Sequence, residues 1–389
     1  MAKPLPSQLA QIVAADLPVC QNLGLILDKY QPWEKIGKEP WEIRFNINVW
    51  RNRHWEPKTS TGNEAKGYWL TIGAPPQGVQ WIVDHPQGVQ WIVDPLFSSN
   101  RFDADLYREN FSRWKSLINS FRSHLIFKLT NRSRVVVGLG SKNTLEMGLA
   151  LQYPYGFPWI PPTAMKGLAR TRALFWIAEN WGVPAVDNVQ YLQYKKAKPK
   201  IKTPLQLLED LLEAPIGKEG DPHRFDQLNR CLETLKSKVS DSQFLMDSDA
   251  ESISRNQTFL LFRTIFGTQA DIGKVIFFGG YTTNLPKLVN EIMTPHFKKY
   301  NNENEYPRDN DSPEPIIYLA LASGQEFQFG IALRPGFDAS ELLRLPNDKE
   351  NINYNDEFLK KVRTFTRLGL LDLGIGGKTS SGMGLFIKP

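Results

Sequence analysis

The chain has 389 residues, 41% of them apolar and 23% charged, with a formal net charge of +6. Such a composition fits an ordinary soluble globule with one large core or two smaller ones. No stretch approaches 18 uncharged apolar residues, which excludes a membrane-spanning helix. Cys20 and Cys231 are far apart and give neither a disulfide framework nor metal-ligand spacing. The opening residues lack a secretory apolar region, so a cytoplasmic location is expected.

The charge is unevenly placed. Between Arg122 and Ala178, eight Lys or Arg residues face Glu146 alone, +7 in 57 residues, and the remainder of the chain nets −1. A basic block with aromatics nearby suits a nucleic-acid partner, or else is the solvated face of ordinary elements.

Residues 5–17 read as a short helix, and 28–70, rich in Trp and Lys/Arg, as loops and short strands. A near-perfect duplication follows, Pro76 to Asp84 and Pro86 to Asp94. Two copies are too few for a solenoid, so the pair reads as a surface insertion shaped as a loose β-hairpin. Residues 103–121 carry Tyr107, Phe111, Trp114 and Ile118 at helical spacing, with Asp103 and Asp105 capping and charging the helix start rather than binding a metal. Residues 134–138 and 144–151 read as strands, and a helix runs from Ala164 to about Asn180. From 182 to 255 a Pro-punctuated basic stretch and helices near 204–214 and 224–239 read as an insertion. The core resumes at Thr258–Phe266, then a strand runs from Gly273 into the bend at Gly279-Gly280. Residues 301–315 form a polar loop. Ile316–Ala322 and Gln325–Leu333, joined by Ser323-Gly324, read as a hairpin whose second arm sets Phe327, Phe329, Ile331 and Leu333 on one face. A helix at 355–371 buries Phe358, Val362, Phe365 and Leu368. Helices mixed with antiparallel strand pairs give an α+β class.

Two segments carry chemistry. The first is Gly374-Ile-Gly376-Gly377-Lys378-Thr379-Ser380-Ser381-Gly382-Met-Gly384, five glycines around a Lys-Thr-Ser-Ser core. Glycines open the backbone to close approach, and successive N–H groups, three hydroxyls and an ammonium suit phosphate. A plain Gly-rich turn between helix and strand is the alternative. Nucleotide hydrolysis is disfavoured: the first glycine of a P-loop would fall on Asp372, and the last of a dinucleotide fingerprint on Thr379. The second segment is Ile160-Pro-Pro-Thr163-Ala-Met-Lys166-Gly-Leu-Ala-Arg170-Thr-Arg172. Thr163 is a good N-cap, and Lys166 and Arg170 share a stripe beside the helix N-terminus, where an anion is favoured; a surface helix with solvated cations is the other reading.

These two segments resemble the RAMP superfamily of CRISPR RNA-binding proteins: the helix start with its Lys-Gly and Arg, and the C-terminal Gly-rich loop. Leu27-Asp-Lys-Tyr30, Ile265-Phe-Gly267 with Gly273-Lys-Val-Ile-Phe277, and Thr294–Tyr300 leading to Pro313-Glu-Pro-Ile-Ile317 look like the sixth-subunit family of Cmr (type III-B) effector complexes. Pro162-Thr163, where that family often has Gly-Ser, and the duplicated insertion depart from the pattern. The resemblance implies a single domain over 1–389: an RRM-like (ferredoxin-like) antiparallel core, an extension over about 1–100 holding the 76–94 insertion, and a helical insertion at about 182–255. It also implies a non-catalytic backbone subunit that holds guide RNA near its 3′ end, contacts neighbouring Cmr-type subunits, and serves a complex that binds target RNA. No cofactor or metal is expected.

The RNA-binding residues on this reading are Thr163, Lys166, Arg170, Arg172, Gly374, Gly376, Gly377, Lys378, Thr379, Ser380, Ser381, Gly382 and Gly384, extended by Arg132, Arg134 and Lys142. Of five histidines, His54 in Trp50-Arg-Asn-Arg-His-Trp55 is the best acid–base group for an alternative, metal-independent endoribonuclease that processes precursor RNA. A mainly protein–protein adaptor is the third reading.

Overall fold

The structure, a computed structural model, describes residues 102–140, 148–184, 202–239, 248–293, 316–343 and 352–388, together with the backbone of five strands between Trp33 and Ile92. The expected helix at 5–17, the loop at 301–315, the basic stretch at 195–201 and Lys142 lie outside the described residues.

The five early strands are β1 (Trp33–Glu34), β2 (Glu42–Arg51), β3 (His54–Thr61), β4 (Val79–Asp84) and β5 (Gln90–Ile92). They form one antiparallel sheet in which β3 and β4 both pair with residues 46–49 and so flank β2. The two copies of the duplication pair with each other, Ile82 opposite Ile92 and Asp84 opposite Gln90.

The central sheet has four antiparallel strands: β6 (His124–Asn131), β7 (Val275–Thr282), β10 (Glu326–Leu333) and β11 (Phe386–Ile387), in the spatial order β11-β6-β10-β7. Between β6 and β7 comes helix α2 (Pro162–Asn180), and between β10 and β11 comes α8 (Tyr354–Asp372). Aromatic alternation builds one face. Phe127, Leu129, Phe327, Phe329, Ile331 and Phe277 are buried in the cluster that includes the inner stripes of α2 and α8. Phe329 stacks on Phe127 with ring centroids 5.4 Å apart and meets Phe386 edge-on at 5.6 Å. Burying each such ring contributes about 1.5–3 kcal/mol.

The opposite face is covered by α1 (Ala104–Asn119), capped by Asp103, whose carboxylate accepts the N–H of Asp105 and of Leu106, both at 2.9 Å. Trp114 and Ile118 of α1 pack with Tyr281, and the Trp114 indole donates to the Phe278 carbonyl at 3.0 Å. At Gly330 the absent side chain makes room for α1: a Cβ there would come within 2.3 Å of Ile118.

Residues 202–266 supply α3 (Pro204–Glu213), α4 (Asp226–Lys238), α5 (Ala250–Arg255) and α6 (Gln257–Phe266), which share the main core through Leu207, Leu211, Leu232, Ile253, Phe259 and Phe262. A short helix, α7 (Ser340–Leu343), precedes α8.

Three expectations need correction. Residues 134–138 are extended but make no ladder. Val135 bridges only Leu321, while the carbonyls of Arg134, Val136 and Val137 accept from Gly384, Gly377 and Ala150. The segment is therefore a seam between three neighbours. Of 144–151, the described part, 148–151, is irregular apart from a bridge between Leu151 and Pro158. The arms of the expected 316–333 hairpin part company: β9 (Ile316–Leu321) pairs with β8 (Leu288–Met293), and β10 with β6 and β7. Asn131 explains the split. Its buried amide donates to the carbonyls of Ser133 and Ala322, at 2.9 and 2.7 Å, and accepts the Gln325 N–H at 2.7 Å. These side-chain bonds, with the Gly324 N–H donated to the Asn131 carbonyl at 2.8 Å, hold the Ser323-Gly324 turn.

Candidate nucleic-acid interface

The Gly-rich loop springs from the end of α8. The helix persists to Asp372 because Phe358, Val362, Phe365, Thr366 and Gly369 place one buried stripe on the core. It stops where Leu373 and Gly374 both donate to the Gly369 carbonyl, with Gly374 at φ 76°. Ile375 then turns inward and is 2% exposed. Two glycines here are required by the chain itself. A Cβ at Gly376 would sit 2.1 Å from the Val136 carbonyl, and one at Gly384 2.1 Å from that of Ile375. Both have φ well above zero, the region glycine occupies freely.

Seven N–H groups of the loop are spent internally: Gly374, Ile375, Gly377, Ser381, Gly382, Met383 and Gly384 all donate to carbonyls. Among the described residues no acceptor meets the N–H of Gly376, Lys378, Thr379 or Ser380. Three of these are consecutive and lie at a tight turn, Thr379–Ser381, that opens from Lys378 in the left-handed conformation. Successive N–H groups in such a turn form an anion-binding concavity. Lys378 is the one non-glycine residue with positive φ among the described residues. Its ammonium lies 5.7 Å from the centre of the Tyr318 ring, whose hydroxyl donates to the Met383 sulfur at 3.7 Å. Ser380, Ser381 and Gly382 are exposed, and a Cβ at Gly382 would meet nothing within 4 Å.

The start of α2 lies at the same end of the molecule. The two long helices cross antiparallel, Gly369 against Leu168 and Phe365 against Trp176, so the first turns of α2 stand beside the last turn of α8. Here the structure corrects the expected cap. Helix α2 begins at Pro162 after Pro161, with no side-chain cap, because proline at the first helical position has its φ preset. Thr163 is therefore an exposed first-turn residue.

Cations of this helix are largely engaged. The Arg170 guanidinium bonds to Glu209 and to Glu213 of α3 (2.5 Å to the latter) and lies 5.5 Å from the centre of the Phe262 ring. Arg172 reaches Asp372 at 3.4 Å. Arg134 pairs with Glu291 of β8. Lys166 has no carboxylate partner among the described residues. Burial holds its ammonium below the usual lysine range, and the charges of Arg170 and Arg334 add to the effect. Arg132 is exposed and uses only its backbone, donating to the Leu385 carbonyl at 2.8 Å.

The arrangement therefore divides the expected residues. Lys378, Thr379, Ser380, Ser381 and Arg132 present open donors. Arg134, Arg170 and Arg172 sit in ion pairs within the chain. Sequence reasoning missed Tyr318, Glu291 and Asn131; the first two lie on the β8–β9 pair, which no local pattern joins to the loop. His124 holds Phe121's carbonyl at 2.7 Å, and His223 contacts Asp226 at 2.7 Å on the surface. His54 opens β3, opposite Arg51, and its side chain lies outside the described residues. Among the described residues no three His, Cys, Asp or Glu group to hold a metal. The half-buried Cys231 thiol is pushed up by burial, away from nucleophile chemistry.

The chain belongs to the RAMP superfamily, whose family model matches residues 128–387, from within β6 to the end of β11. It is 28% identical over 297 residues to the CRISPR system Cmr subunit Cmr6 of Pyrococcus furiosus, covering 73% of each chain. Among solved structures it is similar to a chain in the type III-B Cmr-beta complex bound to cognate target RNA, with 17% identity, a TM-score of 0.39, and 75% and 68% of the two chains covered. The crystal structure of Cmr6 from Pyrococcus furiosus gives 23% identity, a TM-score of 0.35, and 68% and 98% coverage.

Proposed function

We propose that this chain is a non-catalytic, guide-RNA-binding backbone subunit of a type III-B CRISPR effector complex, working in the cytoplasm beside other Cmr-type subunits on a complementary target RNA. Kinship with Cmr6 supports the placement in such a complex. The order β6-α2-β7-β10-α8-β11 with the sheet order β11-β6-β10-β7 supports a ferredoxin-like core, and the N-terminal strands and the 202–255 helices then count as its extension and insertion.

The observation that carries the RNA reading is the triplet of open N–H groups at Lys378, Thr379 and Ser380, with exposed hydroxyls beside it. Backbone amides and an ammonium bind phosphate without regard to base, as a guide-holding subunit requires. Thr163, Lys166 and Arg132 extend this surface, Gly374, Gly376, Gly377, Gly382 and Gly384 shape the loop, and Arg134, Arg170 and Arg172 hold its supports; Lys142 is assigned to the same track.

Salt titration of single-stranded RNA binding by the full chain tests it. Lys378→Met keeps a long side chain at the left-handed position and removes only charge. It should weaken binding evenly across sequences and reduce the log–log salt slope by about 0.7, one phosphate contact on a single strand. Unchanged affinity and slope would remove the loop from the interface.

A further inference from the structure

Residues 151–158 form a tight loop just ahead of α2. Leu151 bridges Pro158, the Gln152 N–H donates to the Phe157 carbonyl at 2.8 Å, and the Gly156 N–H donates back to Gln152 at 2.7 Å. Helix α1 grips it from the side. Asn110 donates to the Gln152 side chain at 2.7 Å, Arg113 to the Tyr155 hydroxyl at 3.1 Å, and Tyr107 meets Phe157 edge-on at 4.9 Å. Two of the loop's three aromatics are thereby committed to the fold.

The third is not. Tyr153, at the apex, is 92% exposed. The other large apolar side chains standing in solvent among the described residues are aliphatic and 39–69% exposed. Single exposed apolar residues are ordinary in themselves. What distinguishes Tyr153 is its mounting: the turn is fastened by its own backbone bonds and by α1, and the residue precedes Pro154, which restricts its backbone to extended conformations. Nine residues later the same stretch of chain enters α2, whose first turns carry exposed Thr163 and half-buried Lys166.

We infer that Tyr153 is a stacking platform for an unpaired base of the bound RNA, an inference that rests on the RNA-binding reading above. A phenol ring carried on a fastened turn offers a π-face that accepts any base, so it complements contacts to phosphate without imposing sequence. The fastened backbone lowers the entropy lost on stacking.

The full chain would be titrated with single-stranded RNAs carrying 2-aminopurine at successive positions. For the wild type, quenching should peak at one position. Tyr153→Ala should lower affinity about tenfold and abolish that quenching without changing the salt slope, whereas Tyr153→Phe retains both. If Tyr153→Ala binds and quenches like the wild type, this inference is overturned alone, including the case in which the variant instead loses a neighbouring subunit. A wild-type chain that binds no RNA overturns the RNA-binding reading and this inference with it.

Discussion

The Gly-rich loop and the start of α2 look alike in sequence, each offering cations and backbone N–H groups to an anion, and the structure makes them different. In the loop, Lys378 rests on an aromatic face and three consecutive N–H groups stay open. On α2, Arg170 is held by two glutamates and a phenyl ring, and Arg172 by Asp372. Positive charge on a predicted face is thus not the same as available charge. The lesson extends to the glycines: Gly376 and Gly384 make room for the chain's own carbonyls, while Gly382 stands in open space.

The largest expected effect breaks this contrast within the loop. Gly384→Ala must enter a left-handed position and displace the Ile375 carbonyl, at a cost of about 3–4 kcal/mol. Gly382→Ala bears only the conformational term, about 1–2 kcal/mol. Urea unfolding of the two variants compares them, and equal losses would mean the close approach at Gly384 is not real.

Next in size is Arg170→Met. Removing the guanidinium leaves Glu209 and Glu213 without their partner and loosens α3 from α2, for about 2–3 kcal/mol after allowing for partial exposure. The variant's RNA salt slope should match the wild type. A reduced slope with unchanged stability would return Arg170 to the interface.

The smallest effect concerns Lys166. Burial depresses its folded pKa below the unfolded value, so between the two the unfolded chain binds more protons and stability rises as pH climbs through that alkaline window. At neutral pH the charge is a cost, so Lys166→Met should raise Tm slightly and flatten that alkaline rise. Thermal melts across the window check the sign, and a variant that melts lower at neutral pH contradicts it.

Much of the fold was legible. Helices α1, α2, α3, α4 and α8 begin and end within about two residues of the expected limits, because a 3.6-residue apolar stripe is a local signal, joined by side-chain caps at α1, α3 and α8 and by proline at the start of α2. Strand partners were not. Nothing local in 316–333 announces that Asn131, nearly 200 residues away, will hold the turn and send the two arms to different sheets. The loop's glycines were visible as a cluster, but which serve packing depends on Val136 and Ile375. The partners that occupy Arg170 lie 39 and 43 residues downstream, in the helical insertion, where spacing rules do not reach.

The most direct measurement is purification of the tagged full chain with its native neighbours, ultraviolet cross-linking of the RNA that accompanies it, and mass spectrometry of the adducts. The account predicts short guide-type RNAs sharing a repeat-derived 5′ tag, with adducts on the peptide that spans Lys378–Ser381. Adducts confined to the α3–α4 helices, or a complex that assembles without RNA contact to this chain, would contradict it.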